Sequence, residues 1–201
     1  MRVNEERRSE LKDFGLTILN DIVPQYSIDR ALKAINTEMG EGLPADIFNW
    51  GMNCKSGRTE EVMSLLYHTP LWLACQELMA KPIKGRSCQV ALRFPSVMES
   101  GNWPHLDGFD KNNPENIDSF SMIIGIPLSP TVDDNSGELI TYIKSHNILS
   151  EAYNRNKKVD DVVSVMKDVY WAASPLRLNM IPGDALIMNP FVMHDPASNF
   201  S

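Results

Sequence analysis

A histidine and an aspartate stand two residues apart in the stretch PHLDGF, residues 104–109. The stretch follows residues with a strand-like pattern, and on a β-strand positions i and i+2 project from the same face. His105 and Asp107 could therefore direct an imidazole and a carboxylate at one metal ion. They could equally form a surface pair in a loop, because a His-x-Asp pattern alone is weak evidence for a metal site.

A second signal is the stretch PGDALIMNPFVMHD, in which a Gly-Asp turn leads into an apolar strand that runs to His194. If this strand lies beside the one carrying His105, two imidazoles and one carboxylate converge. Such a set leaves three positions open on a six-coordinate metal, which suits a non-haem Fe(II) oxygenase. The alternative for His194 is a core histidine that hydrogen-bonds a backbone carbonyl.

The other two histidines, His68 and His146, are predicted to be structural rather than metal ligands. Asp195 directly follows His194 and might look like a further donor. On a strand it should face away from His194, because neighbouring side chains alternate between the two faces. Asp195 is therefore predicted not to bind the metal.

The composition indicates one ordinary globular domain, residues 1–201, with 43% hydrophobic and 22% charged residues. The net charge of −7 argues against binding nucleic acid through a broad basic face. No apolar run is long enough for a bilayer and the N-terminus lacks a signal peptide, so a cytoplasmic protein without membrane contact is predicted. Cys54, Cys75 and Cys88 are widely spaced, which favours free thiols over disulfides or a zinc site.

The first part of the chain, residues 1–82, has mainly helical patterns. NEERRSELKDFG reads as an amphipathic helix closed by Gly15, and LTILNDIVP as a strand. Ser27 is predicted to cap a helix that ends at Gly40 and Gly42. TEEVMSLLYHT and PLWLACQELMAK are predicted helices, the second beginning at Pro70.

Residues 83–201 change to short strand-like runs separated by turn signals. The predicted strands are SCQVALRFP, SFSMIIGIPL, GELITYI, LRLNMI and DALIMNPFVM, with a helical insert at about 147–170. Helices followed by many short strands predict a mainly β fold with α-helices, a jelly-roll barrel with an N-terminal helical layer.

In order along the chain, HLD, DNSGEL, YIKSH, PGD and HDPASNFS resemble motifs of the phytanoyl-CoA dioxygenase family of Fe(II)/2-oxoglutarate oxygenases. LKDFGLTILNDIVP is similar to that family's opening helix and strand, so the resemblance covers nearly the whole chain. It implies a cupin-like double-stranded β-helix with His105, Asp107 and His194 as iron ligands. The resemblance also implies Fe(II) and 2-oxoglutarate as cofactors, with O₂ as the second substrate.

The sequence departs from the family pattern at several positions. Ile143 and Lys144 stand where the family has Pro-Gly, and Pro196 stands where a serine is common. The family holds the far carboxylate of 2-oxoglutarate with an Arg on the strand after the distal histidine, but Ser201 is the last residue here. The resemblance therefore implies either a fragment that lacks this strand or a substitute cation.

Four other residues are candidates for binding the co-substrate. Arg93 lies on the same strand face as Gln89 and Ala91, where it meets a carboxylate if that face is interior and solvent if it is not. Ser119 and Ser121 could donate to a carboxylate from one strand face, although strand hydroxyls are often merely exposed. Lys55, in the loop NCKSGR, falls where the family has a basic residue that reaches 2-oxoglutarate, and a solvated lysine is the alternative.

The function implied by the resemblance is hydroxylation of a small-molecule substrate with release of succinate and CO₂ by a monomer or homodimer. The presence of Asp107 favours hydroxylation, because related halogenases lose this carboxylate. One alternative is a catalytically silent jelly-roll module that binds a metal or ligand. Another is a cupin-type metal enzyme without a co-substrate, although such sites usually contain more histidines.

Overall fold

The computed structural model describes residues 3–42, 54–79, 82, 84–95, 104–108, 121–156 and 159–200. The helices are α1 (Glu5–Asp13), α2 (Gln25–Gly40), α3 (Glu60–Tyr67), α4 (Pro70–Leu78), α5 (Ser145–Asn156) and α6 (Val159–Ala172), with a 3-10 helix at Lys55–Arg58. The strands are β1 (Leu16–Leu19), β2 (Ile123–Gly125), β3 (Leu139–Tyr142), β4 (Leu176–Leu178), β5 (Ala185–Met188) and β6 (Met193–Pro196).

The six strands form two antiparallel three-stranded sheets. Sheet A has the order β1-β5-β2 and sheet B the order β4-β3-β6. The fold is thus mixed helix and sheet, and among the described residues the two sheets are not joined into a closed barrel. Sheet B carries His194 on its edge strand β6, opposite Thr141 of β3.

The central strand β5 is buried on both faces, and its alternate side chains belong to two different hydrophobic cores. Leu186 and Met188 pack with Leu178 of sheet B, so the two sheets face each other across this apolar layer. Ala185 and Ile187 point the other way and join the core formed with the N-terminal helices. The continuous apolar sequence ALIM therefore follows from burial on both sides rather than from alternation of polar and apolar residues.

Two helical layers cover the outer faces of the sheets. α2, α3 and α4 contribute Ile28, Val62 and Leu71 to the core on sheet A. α5 and α6, the predicted insert, contribute Leu149 and Val162 to a core on the outer face of sheet B. The layers therefore follow the order helices, sheet A, sheet B and helices. This order explains why both sheets are protected from water.

The PGD turn before β5 is hydrogen-bonded to the residues that follow β1. The Asp184 carboxylate accepts hydrogen bonds from Asn20 Nδ2 at 3.1 Å and from the backbone nitrogens of Asp21 and Ile181 at 3.2 and 3.1 Å. Gly183, with φ of +110°, presents its carbonyl oxygen to the nitrogens of Ile22 and Val23. The turn predicted from sequence is confirmed, and its aspartate holds three donors.

Most of the predicted helices are confirmed, including α1 before Gly15, α2 through Gly40, α4 from Pro70 and the helical insert. The prediction of Ser27 as the cap of α2 is wrong. The helix begins at Gln25, three residues earlier than a cap at Ser27 implies, because the Pro24 carbonyl accepts hydrogen bonds from the nitrogens of Ser27 and Ile28. Ser27 is instead buried in the first turn, at 2% exposure.

The predicted strand SCQVALRFP is also wrong for its described residues, which form no ladder with either sheet. Val90 and Leu92 still alternate inward, against the helical core, as a strand pattern requires. The local pattern was therefore read correctly, but a strand also needs a neighbouring strand to pair with.

Within the described residues, none of the helices is both long and apolar enough to cross a lipid bilayer.

Glu38, near the end of α2, ties that helix to the following loop. Its carboxylate accepts hydrogen bonds from the nitrogens of Lys55 and Ser56, at 2.7 and 2.6 Å, and from Cys54 Sγ at 3.1 Å. Burial alone raises the pKa of Glu38, but these hydrogen bonds outweigh it and lower the pKa to about 2. A depressed carboxylate pKa stabilises the fold above the pKa of the unfolded chain, and this contribution is lost as pH falls through the folded value.

We therefore expect Glu38→Gln to lower the melting temperature at pH 7 by roughly 2–4 °C, for a loss of about 1 kcal/mol. Between pH 4.5 and 2 the melting temperature of the wild type should fall further than that of Glu38→Gln. Thermal melts followed by circular dichroism at several pH values measure both effects. Glu41→Gln, at the exposed cap of the same helix, is the matched control. Parallel pH profiles for wild type and Glu38→Gln would contradict the expectation.

Candidate metal site

His105 and His194 are brought together by a short antiparallel bridge between the His105 segment and strand β6. The nitrogen of each donates to the carbonyl oxygen of the other, at 2.9 and 3.1 Å. The two imidazole rings lie 4.7 Å apart, centroid to centroid. The pairing required by the sequence hypothesis, a His105 segment beside the His194 strand, is therefore present.

Asp107 completes a cluster with both imidazoles. Its Oδ1 lies 3.5 Å from His105 Nε2, and its Oδ2 lies 3.6 Å from His194 Nε2. One ligand atom from each of the three residues lies within 4.8 Å of the other two. Among the residues that the structure describes, this is the group of histidine, cysteine and acidic side chains with an arrangement that could hold a metal ion.

The ring of His194 is fixed by its own backbone. Its Nδ1 lies 2.9 Å from the carbonyl oxygen of Val192, which can only accept a hydrogen bond. A proton on Nδ1 would satisfy this contact, and Nε2 is the ring nitrogen that faces Asp107. Metal-binding histidines in proteins are oriented in this way by a partner on the second ring nitrogen. Sequence reasoning did not identify Val192, because its role depends on a carbonyl and not on its side chain.

The electrostatics of the cluster keep Asp107 in its charged form. The imidazoles of His105 and then His194 hold the pKa of the Asp107 carboxyl well below its usual range, against the opposing effect of burial. The carboxylate is thus an anion across the neutral pH range and ready to accept a cation. Its side chain is 44% exposed and that of His105 48%, whereas that of His194 is 7% exposed. One side of the cluster is therefore open to small molecules.

Leu106 separates the two candidate ligands and faces the opposite way. It is 5% exposed and packs in the core beneath sheet B with Tyr142, Leu149 and Met193. The apolar residue of the HLD motif thus anchors the segment while its neighbours project to the other side. The alternation assumed from sequence, with i and i+2 on one face, holds for this loop.

His146 and Asp195 lie outside the cluster. His146 is the second residue of α5, and its Nε2 lies 3.1 Å from the carbonyl oxygen of Lys12. Asp195 is 9% exposed, and its Oδ1 makes no hydrogen bond within the described part of the chain. Burial raises the pKa of Asp195.

The motif YIKSH owes its shape to Lys144, at the position where the family pattern has glycine. Lys144 adopts a φ of +67°, in the left-handed region that glycine favours. Its nitrogen donates to the carbonyl oxygen of Phe14 at 2.9 Å, which links the start of α5 to the end of α1. Lys144 therefore adopts a backbone conformation that a glycine would adopt with less strain.

Sequence reasoning also missed the role of Glu138 in the DNSGEL turn. This fully buried carboxylate accepts hydrogen bonds from the nitrogens of Asn135 and Ser136, at 3.1 and 2.9 Å, and forms an ion pair with Arg177. It holds the turn at the start of β3, next to β6. An acidic residue directly before an apolar strand was the signal that could have indicated a buried turn-forming carboxylate.

The four proposed co-substrate residues occupy different places. Arg93 is partly buried on the wall of a cavity of about 590 Å³. The described lining of that cavity does not include the three clustered side chains. Lys55 and Ser121 are exposed, Lys55 on the 3-10 helix and Ser121 just before β2. Ser119 lies outside the described residues.

The fold is similar to those of several solved structures. The non-heme alpha ketoglutarate dependent carbocyclase SnoK from nogalamycin biosynthesis matches with a TM-score of 0.72 and 17% identity, over 99% of this chain and 79% of that one. The related epimerase SnoN matches with a TM-score of 0.66 and 13% identity, over 98% of this chain and 75% of that one.

HygX from Streptomyces hygroscopicus, solved with nickel and 2-oxoglutarate bound, matches with a TM-score of 0.62 and 12% identity, over 99% and 82% of the two chains. No protein-family model matches this chain. No curated protein matches it in sequence. At these identities the likeness establishes a shared fold, and the solved structures that share it include non-haem 2-oxoglutarate-dependent enzymes.

Proposed function

We propose that this chain is an Fe(II)- and 2-oxoglutarate-dependent dioxygenase that hydroxylates a small molecule, and that it belongs with the phytanoyl-CoA dioxygenase-like enzymes. The observation that carries the proposal is the convergence of His105, Asp107 and His194, from two distant parts of the sequence, within 4.8 Å. The fold shared with SnoK, SnoN and HygX supports it, because SnoK and SnoN are alpha ketoglutarate dependent and HygX was solved with 2-oxoglutarate bound.

The donor set fits the proposed metal. Two neutral imidazoles and one carboxylate are the ligands of facial non-haem Fe(II) sites, and nickel, cobalt, manganese or zinc can replace iron in the same set. The orientation of His194 Nε2 towards Asp107 and the ionised carboxyl of Asp107 both favour a divalent cation at this point. When bound, Fe(II) would activate O₂, which is the oxidant, and 2-oxoglutarate would supply two electrons through its oxidative decarboxylation to succinate and CO₂.

Backbone hydrogen bonds of the chain position the proposed metal ligands. His194 is held from behind by Val192, and His105 is held by its two backbone hydrogen bonds to His194. Asp107 occupies the third ligand position, which argues for hydroxylation over halogenation by the family resemblance. The exposed sides of His105 and Asp107 leave an approach for co-substrate and substrate.

For the far carboxylate of 2-oxoglutarate, Arg93 is the proposed anchor. Its guanidinium is partly buried, and this burial lowers the pKa of Arg93. A desolvated cation favours a bound anion, and guanidinium pairs with carboxylate in a bidentate manner. Lys55, Ser119 and Ser121 are the weaker proposals, since Lys55 and Ser121 lie in exposed positions.

The test is oxygen uptake and succinate release with Fe(II), with and without 2-oxoglutarate, over a set of small metabolites. We expect uptake that depends on 2-oxoglutarate and rises with one substrate class, and that falls to background in Asp107→Ala. Uptake independent of 2-oxoglutarate would instead identify a cupin-type metal enzyme. Tight metal binding with no uptake under any condition would identify a silent metal-binding module.

A further inference from the structure

The peptide group that joins Val192 to Met193 has hydrogen-bonding contacts on both sides, next to the metal cluster. The two residues are 0% and 1% exposed. The carbonyl oxygen of the group lies 2.9 Å from His194 Nδ1. Its N–H, which belongs to Met193, donates to the hydroxyl oxygen of Ser145 at 2.9 Å. This single peptide group thus connects the side chain of Ser145 to the ring of His194.

The planarity of the peptide group couples these two contacts. The N–H and the carbonyl of a trans peptide lie in one plane and point in opposite directions. A hydrogen bond that fixes the N–H of Met193 therefore also fixes the direction of the Val192 carbonyl oxygen. Rotation of the group about the line between its flanking Cα atoms would break the contact with Ser145 and the contact with His194 together.

The hydroxyl of Ser145 is itself held in place by its neighbours. Ser145 is 2% exposed and is the first residue of α5. Before it, the nitrogen of Lys144 donates to the carbonyl oxygen of Phe14 at 2.9 Å. After it, His146 Nε2 lies 3.1 Å from the carbonyl oxygen of Lys12. The start of α5 is therefore attached to the end of α1 on both sides of Ser145.

A turn fixes the chain that leads into this peptide group. The nitrogen of Val192 donates to the carbonyl oxygen of Asn189, and the nitrogen of Phe191 donates to Asn189 Oδ1, both at 2.9 Å. These contacts place Val192, but neither involves the peptide group that follows it. For the orientation of that group, the described part of the chain provides the contacts with Ser145 and with His194.

We propose that Ser145 is a positioning residue for the metal site, because its hydroxyl holds the Val192–Met193 peptide group in the orientation that presents a carbonyl oxygen to His194 Nδ1. That carbonyl keeps a proton on Nδ1 and leaves Nε2 to bind the metal. The proposal rests on the proposed function, since it assigns a further residue to the same site. It also gives the serine of the YIKSH motif a role.

The first measurement needs no metal. Long-range proton–nitrogen NMR correlation spectra of the metal-free chain, labelled at histidine, show which ring nitrogen carries the proton at a pH above about 8, where imidazoles are neutral. The spectrum of His194→Ala identifies the His194 signals by their loss. We expect His194 to be protonated on Nδ1 in the wild type, and at least partly on Nε2 in Ser145→Ala.

The second measurement is the affinity for Co(II), by anaerobic calorimetric titration. Ser145→Ala should bind Co(II) at least about tenfold more weakly, which is the effect of losing an outer contact of a metal ligand. Ser64→Ala is the matched control, because Ser64 is 3% exposed on α3 and its hydroxyl donates to the Glu61 carbonyl oxygen at 2.8 Å. It should bind Co(II) like the wild type. If Ser145→Ala does not fold, Ser145→Cys preserves the shape with a weaker acceptor and replaces it in both measurements.

Either measurement can overturn the proposal. A wild-type His194 protonated on Nε2, or the same protonation in wild type and Ser145→Ala, would show that Ser145 does not orient the ring. Co(II) affinity of Ser145→Ala within about twofold of the wild type, or equal weakening in Ser64→Ala, would show that the hydroxyl does not position the metal ligand. Failure of the wild type to bind Co(II) would instead contradict the proposed function, and the spectra would still decide whether Ser145 orients His194.

Discussion

His194→Ala is expected to lower the affinity for Fe(II) or Co(II) by more than about 100-fold, and His105→Ala by a similar factor. Loss of an outer partner of a metal ligand already costs 10–100-fold, and removal of the ligand itself costs more. With His194 replaced, Asp107 also loses one of the two imidazoles that hold its carboxylate in place. Anaerobic calorimetric titration measures the affinity, and metal analysis after gel filtration measures the stoichiometry.

Two control variants make this result specific. His68→Ala removes an exposed imidazole at the end of α3, and Asp195→Asn removes the carboxyl directly after the ligand. Both should retain one metal ion per chain. Equal metal content in wild type, His105→Ala and His194→Ala would show that the ligand set is wrong, as would a fall in Asp195→Asn to the level of His194→Ala.

Gly15→Ala is expected to destabilise the fold by about 2–4 kcal/mol, from a left-handed backbone conformation and from overpacking together. Gly15 has a φ of +87°, and a Cβ there would lie 2.5 Å from Val192 Cγ2 and in contact with the His146 ring. Both neighbours are buried, so the strain cannot be relieved by moving a flexible surface side chain. Urea denaturation followed by tryptophan fluorescence gives the free energy of unfolding.

Gly40→Ala is the matched control. Gly40 ends α2, and an added Cβ there meets nothing within 4 Å. Alanine should therefore be neutral or stabilise the chain by up to about 1 kcal/mol, because it reduces the freedom of the unfolded state. If Gly15→Ala and Gly40→Ala unfold at the same urea concentration, the tight packing around Gly15 is not a constraint.

The sequence predicted local features well and pairings less well. Helix boundaries followed from Gly15, Gly40 and Pro70, because glycine and proline act on their own backbone. The start of α2 was placed wrongly at Ser27, since the Pro24 carbonyl and burial of the first turn decided it. The segment around Val90 has a strand pattern but no ladder, because pairing depends on residues far away in sequence.

In the candidate site, too, the local features were predicted from sequence and the long-range contacts were not. The residue types and the spacing of His105 and Asp107 were enough to predict one face of a metal site, and order along the chain added His194. Convergence itself required the backbone bridge between His105 and His194, which no local pattern encodes. The fixing of His194 by the Val192 carbonyl could not be predicted either, since every residue has a carbonyl.

The burial of Leu106 has a consequence for the lifetime of a bound metal. This side chain fastens the segment between His105 and Asp107 to the core that α5 and α6 share with sheet B. Any local opening of those helices would release two ligands together, while His194 stays on its strand. If the proposed site holds a metal, we expect loosening of this helical insert to shorten the residence time of the ion. Substitutions in the insert should therefore change the dissociation rate without touching a ligand.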